Sequence, residues 1–273
     1  MKPAPFAYVR PETRDDAVAM LSEHGDDALV LAGGLSLGAM LNMRLVIAEM
    51  VIDINQIPEL CEIERADDQL RTGAMVRQAD ALASTDVAKS TPLLHLGLKN
   101  VGHYQTRSRG TLGGSVAHAD PSAEIPLCLA TLNGVVELIS KRGTRYVRAR
   151  EFADAALSTI REPDELVAAL HWPVHSNAGV AFQEIAQRHG DFAIVAVAAV
   201  VRNGSEFSLG FGGVEGTPRI LDGKVDVTIE NSISTFVGNM DAMEDPRASA
   251  EYRIAVARHL GIETLRQALE RSA

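Results

Sequence analysis

Two pairs of adjacent glycines, at residues 33–34 and 113–114, are the positions where residue type and spacing suggest binding chemistry. Three hydroxyl side chains accompany them: Ser36, Thr111 and Ser115. Adjacent glycines lack Cβ atoms and can adopt positive φ, so their N–H groups can converge on an anion. Two such loops would suit a diphosphate. The alternative is that each pair is only a turn, and the spacing alone does not decide between these interpretations.

The common nucleotide-binding fingerprints do not fit these glycines. The G-x-G-x-x-G motif fails at Gly33, which is followed two positions later by Leu35. It also fails at residues 210–212, because Glu215 stands where the third glycine is required. The phosphate-binding loop motif fails at Gly38, because no lysine follows it. The sequence therefore argues against both a Rossmann site and a P-loop site.

The composition of the 273-residue chain limits its partners and cofactors. A net charge of -10 argues against nucleic acid or an anionic membrane surface as a partner. The apolar runs are shorter than the roughly twenty residues of a bilayer span, and no signal peptide is visible, so a cytoplasmic protein is expected. Cys61 and Cys128 are too few to ligate an iron–sulfur cluster, which takes about four cysteines. Both are predicted to be buried structural thiols.

Hydrophobic periodicity predicts a mixture of strands and helices. Residues 36–45 are predicted to form a helix with Ser36 as its N-cap, and Asp120 is predicted to cap a helix at residues 122–132. Residues 102–120 are polar and contain several glycines, which predicts a long loop that is either functional or disordered. The other predicted strands are 28–32, 50–54, 70–76, 134–140, 144–149, 166–172, 180–186, 194–201 and 206–211, and the other predicted helices are 77–83, 91–101 and 247–270, the last a solvated amphipathic helix.

Three segments carry longer patterns. Residues 32–45 read AGGLSLGAMLNMRL, residues 101–121 read VGHYQTRSRGTLGGSVAHADP, and residues 188–193 read RHGDFA. Together they resemble the FAD-binding medium subunit of the molybdenum hydroxylases. That family includes the medium subunit of aerobic carbon monoxide dehydrogenase and the FAD domain of xanthine dehydrogenase. The resemblance extends over essentially the whole chain.

The resemblance implies an α+β fold, with a two-lobed, PCMH-type FAD-binding domain followed by a small α+β C-terminal domain. We expect the first lobe at residues 1–57, the second lobe at 58–176 and the C-terminal domain at 177–273. The last boundary falls in residues 171–177, which carry a proline and no clear periodicity. Within the C-terminal domain, residues 192–200 could form either a strand or the start of a helix.

The resemblance also implies an oxidoreductase subunit that needs no catalytic side chain or metal ligand of its own, because the flavin carries the redox chemistry. In the family, the medium subunit receives electrons from 2Fe-2S clusters on a small subunit and passes them through FAD to a terminal acceptor. A large subunit with the molybdenum cofactor oxidises the substrate, and the expected assembly is a dimer of heterotrimers. The alternatives are a free-standing FAD-dependent reductase of the same fold and a non-enzymatic assembly module.

Carried over residue by residue, the resemblance assigns FAD contacts to both glycine motifs, to the acidic position after Asp-Pro and to isolated positions elsewhere. These residues are Ala32, Gly33, Gly34, Leu35, Ser36, Leu37, Val101, Thr111, Gly113, Gly114, Ser115, Asp120, Glu124, Leu166 and Phe192. Two departures concern the flavin. Leu35 stands where relatives often carry Gln or His, and Gln183 and Glu184 stand where a lysine is frequent. Loss of that cation should make the anionic reduced flavin less favourable.

Several side chains beside the second glycine pair have two interpretations. His103 and His118 either contact the flavin or stabilise the surrounding loop by hydrogen bonds. Tyr104 either lines the flavin crevice or packs internally. Arg107 and Arg109 are expected to pair with acidic side chains in preference to phosphate.

Overall fold

The computed structural model describes residues 2–175 and 177–272, and most of its strands belong to three sheets. The mixture of helices and strands confirms the α+β class. Each of the three sheets draws its strands from one of the three predicted segments, while the division into domains itself stays a prediction. Ser176, the predicted last residue of the second lobe, lies outside the described residues.

The first sheet has three parallel strands. They are β1 (Ala7–Val9), β2 (Ala28–Leu31) and β3 (Met50–Asp53), with β3 in the middle, and the helices of this segment are α1 (Arg14–His24) and α2 (Leu37–Met43). The hydrophobic pattern predicted β2, α2 and β3 but missed β1 and α1. The buried residues of α1 are Ala17, Val18 and Leu21, which are too few to produce a clear apolar stripe in the sequence.

The second sheet has five antiparallel strands. They are β4 (Ile63–Arg65), β5 (Gln69–Gly73), β6 (Val135–Ser140), β7 (Gly143–Arg148) and, between β5 and β6, β10 (Leu166–Pro173); β8 (Ala153–Ala155) and β9 (Ser158–Thr159) form a separate ribbon. The helices of this segment are α3 (Gln78–Ala83), α4 (Thr85–Ser90), α5 (Pro92–Leu98), α6 (Tyr104–Arg109), α7 (Leu112–His118), α8 (Glu124–Thr131) and α9 (Ala149–Phe152). One face of the sheet, with Leu138 and Leu170, packs against these helices. The other face, with Ile139 and Ala168, packs against α1.

The third sheet has four antiparallel strands in sequence order. They are β11 (Gly179–Ile185), β12 (Val195–Arg202), β13 (Glu206–Gly212) and β14 (Arg219–Lys224), followed by α10 (Ile229–Gly238) and α11 (Ala250–Arg271). The sequence pattern missed β14 and α10. Two short 3₁₀ turns, Gly25–Asp27 and Pro58–Leu60, complete the regular elements of the described residues.

Residues 195–202 form a strand, so the helical alternative for residues 192–200 is wrong. The apolar run lacks a period-two pattern because both faces of β12 are buried. Ala196 and Ala198 belong to the core shared with α5 and α8, whereas Val197 faces the core shared with α11. The third sheet is therefore covered by helices on both sides at β12.

The last helix packs across β11 and β12 and contains a fully buried arginine. Arg253 Nη1 donates to the carbonyl oxygens of Ile194 at 2.5 Å and Gly213 at 2.7 Å, and Nη2 lies 2.9 Å from Asp245. This helix begins at Ala250 rather than near residue 247, and it is a structural element of the core as well as a solvated surface. In the described part of the chain, no helix combines the length and apolar character needed to cross a membrane.

Candidate cofactor site

A cavity of about 630 Å³ lies where the first sheet, the second sheet and the loop before β12 come together. Its volume falls within the range of about 300–1,000 Å³ that is typical of small-molecule sites. Every residue to which the sequence resemblance assigns an FAD contact lines this one cavity. They are Ala32, Gly33, Gly34, Leu35, Ser36, Leu37, Val101, Thr111, Gly113, Gly114, Ser115, Asp120, Glu124, Leu166 and Phe192. The individual cofactor contacts stay predictions.

The first glycine pair links β2 to α2. Gly34 has a φ of 77°, in the left-handed region that favours glycine. Gly33 packs against the backbone of the second motif: an ideal Cβ at this position would lie only 2.4 Å from the carbonyl oxygen of Arg109. Residue 33 must therefore be glycine for the two motifs to approach this closely.

Ser36 does not cap α2 with its side chain, contrary to the prediction. An N-cap residue needs an extended backbone, whereas Ser36 has helical φ and ψ of -86° and -57°. The first turn starts earlier, because the backbone N–H of Gly38 donates to the carbonyl oxygen of Gly34 at 2.9 Å. The Ser36 residue lines the cavity instead.

The prediction of a long loop at residues 102–120 is wrong, because this segment contains α6 and α7. The second glycine pair lies in the first turn of α7. Thr111 caps this helix: its backbone is extended and its Oγ1 accepts a hydrogen bond from Gly114 N at 3.0 Å. Leu112 and Val116 then bury one side of the helix. Both glycines have a helical backbone. The positive φ that would let their N–H groups converge on an anion is therefore not present in this pair.

The two glycine motifs contact each other. An ideal Cβ on Gly114 would lie 2.6 Å from Thr111 Oγ1 and 3.4 Å from the Cβ of Ala32. Together with the close approach of Gly33 to Arg109, this contact makes the two motifs one continuous wall of the cavity. The second glycine pair is therefore required for close packing rather than for an unusual backbone conformation.

A side-chain network that the sequence analysis missed ties the two motifs together. Asn55 Nδ2 donates to the carbonyl oxygen of Ala32 at 2.8 Å. Arg77 donates to Asn55 Oδ1 and to the carbonyl oxygen of Arg109, each at 2.5 Å. One signal could have identified Asn55: it follows β3 at the carboxyl end of a parallel sheet, where ligands of such sheets bind. No comparable signal marks Arg77.

Asp53 fixes the orientation of Asn55. Its Oδ1 accepts from the backbone N of Asn55 at 2.8 Å and from Nδ2 at 2.5 Å. Its Oδ2 accepts from the hydroxyl of Tyr8 and lies 3.6 Å from Arg10 Nε. Burial acts to raise the pKa of Asp53, but the hydrogen bonds from Tyr8 and Asn55 and the charge of Arg10 outweigh it, and the pKa is lowered. The carboxylate is therefore ionised at neutral pH.

Asp120 does not cap α8, because that helix begins at Glu124 with Ala123 as its N-cap residue. Asp120 Oδ1 instead accepts a hydrogen bond from the backbone N of Ser122 at 2.8 Å, which closes a local turn. This turn places Asp120 and Glu124 on the cavity wall. Glu124 is therefore the first residue of the helix, which begins two residues later than predicted.

Two acidic side chains from different segments, the buried Glu124 and the half-buried Glu184, interact electrostatically beside the cavity. Glu124 lines the cavity, and Glu184 lies on the face of β11 that carries Phe182 toward α5 and α8. Burial raises the pKa of Glu184 to about 7. Burial, followed by the charges of Glu184 and Asp120, raises the pKa of Glu124 to about 8. Glu124 is therefore mainly protonated at neutral pH, and this wall is less negative than its sequence indicates.

Three other predictions about side chains are wrong. Cys61 is exposed, since it follows a surface 3₁₀ turn, whereas Cys128 is buried as expected. Arg107 donates to backbone carbonyl oxygens, including that of Gly102 at 3.1 Å, and forms no ion pair within the described residues. Tyr104 is 71% exposed, so it neither packs internally nor lines the cavity.

The remaining side chains of this region divide between the cavity and its surroundings. His118 lines the cavity, whereas the ring of His103 contacts that of His189 at 6.1 Å between centroids. Leu35 and Phe192 are 45% and 56% exposed and lie on the open side of the cavity. Two apolar groups are thus available at the rim to cover a bound ring system.

Comparison with known proteins identifies the family. Residues 4–175 match the family described as FAD binding domain in molybdopterin dehydrogenase. The chain is 32% identical to 6-hydroxypseudooxynicotine dehydrogenase complex subunit alpha of Paenarthrobacter nicotinovorans, over 100% of this chain and 97% of that protein. It is 40% identical to caffeine dehydrogenase subunit beta of Pseudomonas sp. (strain CBB1), over 74% of this chain and 69% of that protein.

The fold agrees with this assignment. A structure of carbon monoxide dehydrogenase from Hydrogenophaga pseudoflava contains a chain that superposes with a TM-score of 0.95, at 30% identity and with complete coverage of both chains. Sequence similarity and fold similarity therefore extend over both the cavity-forming segments and the C-terminal segment. The chain belongs to the family of FAD-binding medium subunits of the molybdenum hydroxylases.

Proposed function

We propose that this chain holds FAD in the cavity and relays electrons from 2Fe-2S clusters of a small partner subunit to a terminal acceptor. One observation carries the proposal: positions that the family resemblance assigns to FAD are widely separated in the sequence, yet all line one cavity. FAD, when bound, supplies the redox chemistry. The substrate is oxidised on a large partner subunit with the molybdenum cofactor, so this chain needs no substrate site.

The residues of the cavity fit a dinucleotide cofactor. Gly33 and Gly114 lack side chains, so the two glycine motifs pack against each other, and both motifs line the cavity, where their backbone N–H groups would contact a diphosphate. The hydroxyls of Ser36 and Ser115 can donate to phosphate oxygens. Phe192 would cover one face of the flavin ring, and the protonated Glu124 would donate to a cofactor acceptor or to an adjacent carboxylate.

The partners are inferred from the relatives and from the cysteine content. The relatives named above are subunits of multi-subunit dehydrogenases. An iron–sulfur cluster takes about four cysteine ligands, whereas this chain has two. We therefore propose a cytoplasmic assembly of small, medium and large subunits, arranged as a dimer of heterotrimers. A free-standing reductase has no comparable support, because it would not explain the likeness to subunits of complexes.

Co-purification of the chain with its natural partners tests this proposal. We expect the complex to show a flavin spectrum and to contain iron and molybdenum. The isolated chain should contain neither metal. Oxidation of the hydroxylase substrate should occur in the complex and not in the isolated chain loaded with FAD, whereas a free-standing reductase would show NAD(P)H-dependent turnover by itself. Sustained turnover by the isolated chain would instead establish the free-standing reductase, and a chain that stays colourless after addition of FAD would support the assembly module.

A further inference from the structure

The guanidinium of Arg77 lies directly behind the first glycine motif. Arg77 Nη1 donates to the carbonyl oxygen of Arg109 at 2.5 Å, and that same oxygen lies where it would clash with a Cβ on Gly33. Arg77 Nη2 donates to Asn55 Oδ1 at 2.5 Å, and Asn55 Nδ2 donates to the carbonyl oxygen of Ala32 at 2.8 Å. Arg77 therefore supports both residues of the Ala32–Gly33 peptide, although it does not itself line the cavity.

The hydrogen bond to Ala32 fixes the direction of the Gly33 N–H. In a trans peptide the C=O and N–H groups point in opposite directions, and the described residues contain no cis peptide. Because the carbonyl oxygen of Ala32 points at Asn55, the N–H of Gly33 points away from Asn55. This N–H donates to no acceptor in the described part of the chain, and Gly33 lines the cavity. It is therefore available to donate to an anion bound there.

Arg77 also places a positive charge behind this peptide. Its guanidinium donates to two neutral acceptors and forms no ion pair within residues 2–175 and 177–272. Burial and the charge of Arg109 lower the pKa of Arg77, but an arginine stays protonated in a protein. The ionised Asp53 contacts the other side of Asn55, and Arg10 lies 3.6 Å from it. A partly buried cation without a paired carboxylate attracts an anion placed on the opposite side of the cavity wall.

We propose that Arg77 is a positioning residue for the diphosphate of FAD, which acts from behind the cavity wall and not by direct contact. Its hydrogen bond to Asn55 keeps the Gly33 N–H available to the diphosphate. Its charge attracts the diphosphate across the peptide that joins Arg109 to Gly110. This inference rests on the proposed function, because it requires that the cavity holds FAD.

Arg77→Gln and Arg77→Lys form a matched pair that tests this role. Neither substitute has the planar fork that spans both acceptors, but lysine keeps the positive charge and glutamine does not. The measurement is the FAD dissociation constant of the flavin-free full-length chain, from flavin fluorescence. Arg77→Gln should bind FAD about tenfold more weakly than the wild type, whereas Arg77→Lys should lose no more than about threefold.

Arg271→Gln is the control for loss of an arginine elsewhere in the chain. Arg271 Nη1 donates to the carbonyl oxygen of Val180 at 2.8 Å, and its side chain forms no ion pair among the described residues and does not line the cavity. This variant should bind FAD like the wild type. Equal losses in Arg77→Gln and Arg77→Lys would show that the charge has no role, and unchanged affinity in Arg77→Gln would show that the side chain has none. Either result overturns the inference.

Riboflavin separates an effect on the diphosphate from a general distortion of the cavity. It carries the flavin ring but no phosphate, so Arg77→Gln should lower the ratio of FAD affinity to riboflavin affinity about tenfold. Equal losses for the two ligands would refute the proposal. If Arg77→Gln does not fold, Arg77→Met provides the same comparison with a neutral, unbranched side chain. A wild-type chain that binds no FAD would instead overturn the proposed function, and with it this role of Arg77.

Discussion

Replacing Glu184 with glutamine should stabilise the chain in mildly alkaline solution and leave its stability near pH 4.5 unchanged. Burial raises the pKa of Glu184 from 4.5 to about 7. The folded chain therefore holds a proton that the unfolded chain releases between these values. Such a group contributes stability that is complete below the unfolded pKa and is lost as the pH rises through the folded pKa. Glutamine cannot ionise, so the variant avoids this loss.

The magnitude follows from the size of the change in pKa. At about 1.4 kcal/mol for each pKa unit, the change for Glu184 corresponds to about 3 kcal/mol as an upper bound. Because the side chain is only half-buried, solvent screening reduces the expected gain in unfolding free energy to about 1–2 kcal/mol. The gain should grow as the pH rises from about 4.5 to about 7, and it should be complete above about pH 8, where the wild-type carboxylate is ionised in both states.

Urea denaturation of the flavin-free full-length chain at a series of pH values measures this effect. Glu137→Gln is a control of opposite sign, because hydrogen bonds from His171 and Arg71 lower the pKa of the Glu137 carboxyl. Its contribution is present above pH 4.5 and is lost as the pH falls through the lowered pKa, so Glu137→Gln should destabilise the chain at neutral pH. Parallel pH–stability curves for Glu184→Gln and the wild type would refute the electrostatic account of this site.

Two further predictions concern the glycine motifs. Gly33→Ala should destabilise the chain by about 1–3 kcal/mol and weaken FAD binding, because the new Cβ would lie 2.4 Å from the carbonyl oxygen of Arg109. The matched control is Gly38→Ala in α2, where the new Cβ would have open space around it. This variant should leave the unfolding free energy unchanged or raise it by up to about 1 kcal/mol. Equal FAD affinity for Gly33→Ala and Gly38→Ala would contradict the close-approach argument. Thr111→Ala should cost about 1 kcal/mol of unfolding free energy, because Gly114 N loses its capping acceptor, and Thr111→Ser should restore most of it in denaturation experiments.

The strands of this fold were predictable where burial gives them continuous apolar runs. β2, β3 and β12 are examples, and each was predicted to within two residues. The segment containing α7 was not predictable in the same way, because only Leu112, Gly113 and Val116 are buried among its residues. A helix with so short an apolar side resembles a polar loop in sequence. The cap at Thr111 was the one local signal, and two following glycines masked it.

The residues of the candidate site also differ in whether the sequence could predict them. Residues in contiguous motifs, such as Gly33 and Thr111, were predictable because the whole motif can be compared with a known family. Asn55 and Arg77 were not predictable, because their hydrogen bonds join residues more than twenty positions apart in the chain. Tertiary contacts of this kind leave no periodicity and no local spacing in the sequence.

The cavity walls come from all three predicted segments: the first glycine pair in residues 1–57, α7 and Leu166 in residues 58–176, and the loop that carries Phe192 in residues 177–273. A ligand bound there contacts all three, so its binding energy adds to the cohesion of the whole chain. At a free concentration one hundred times its dissociation constant, such a ligand contributes about 2.7 kcal/mol to the folded state. FAD bound in the cavity would therefore make the folded chain more resistant to unfolding and to proteolysis, a role that is separate from electron transfer.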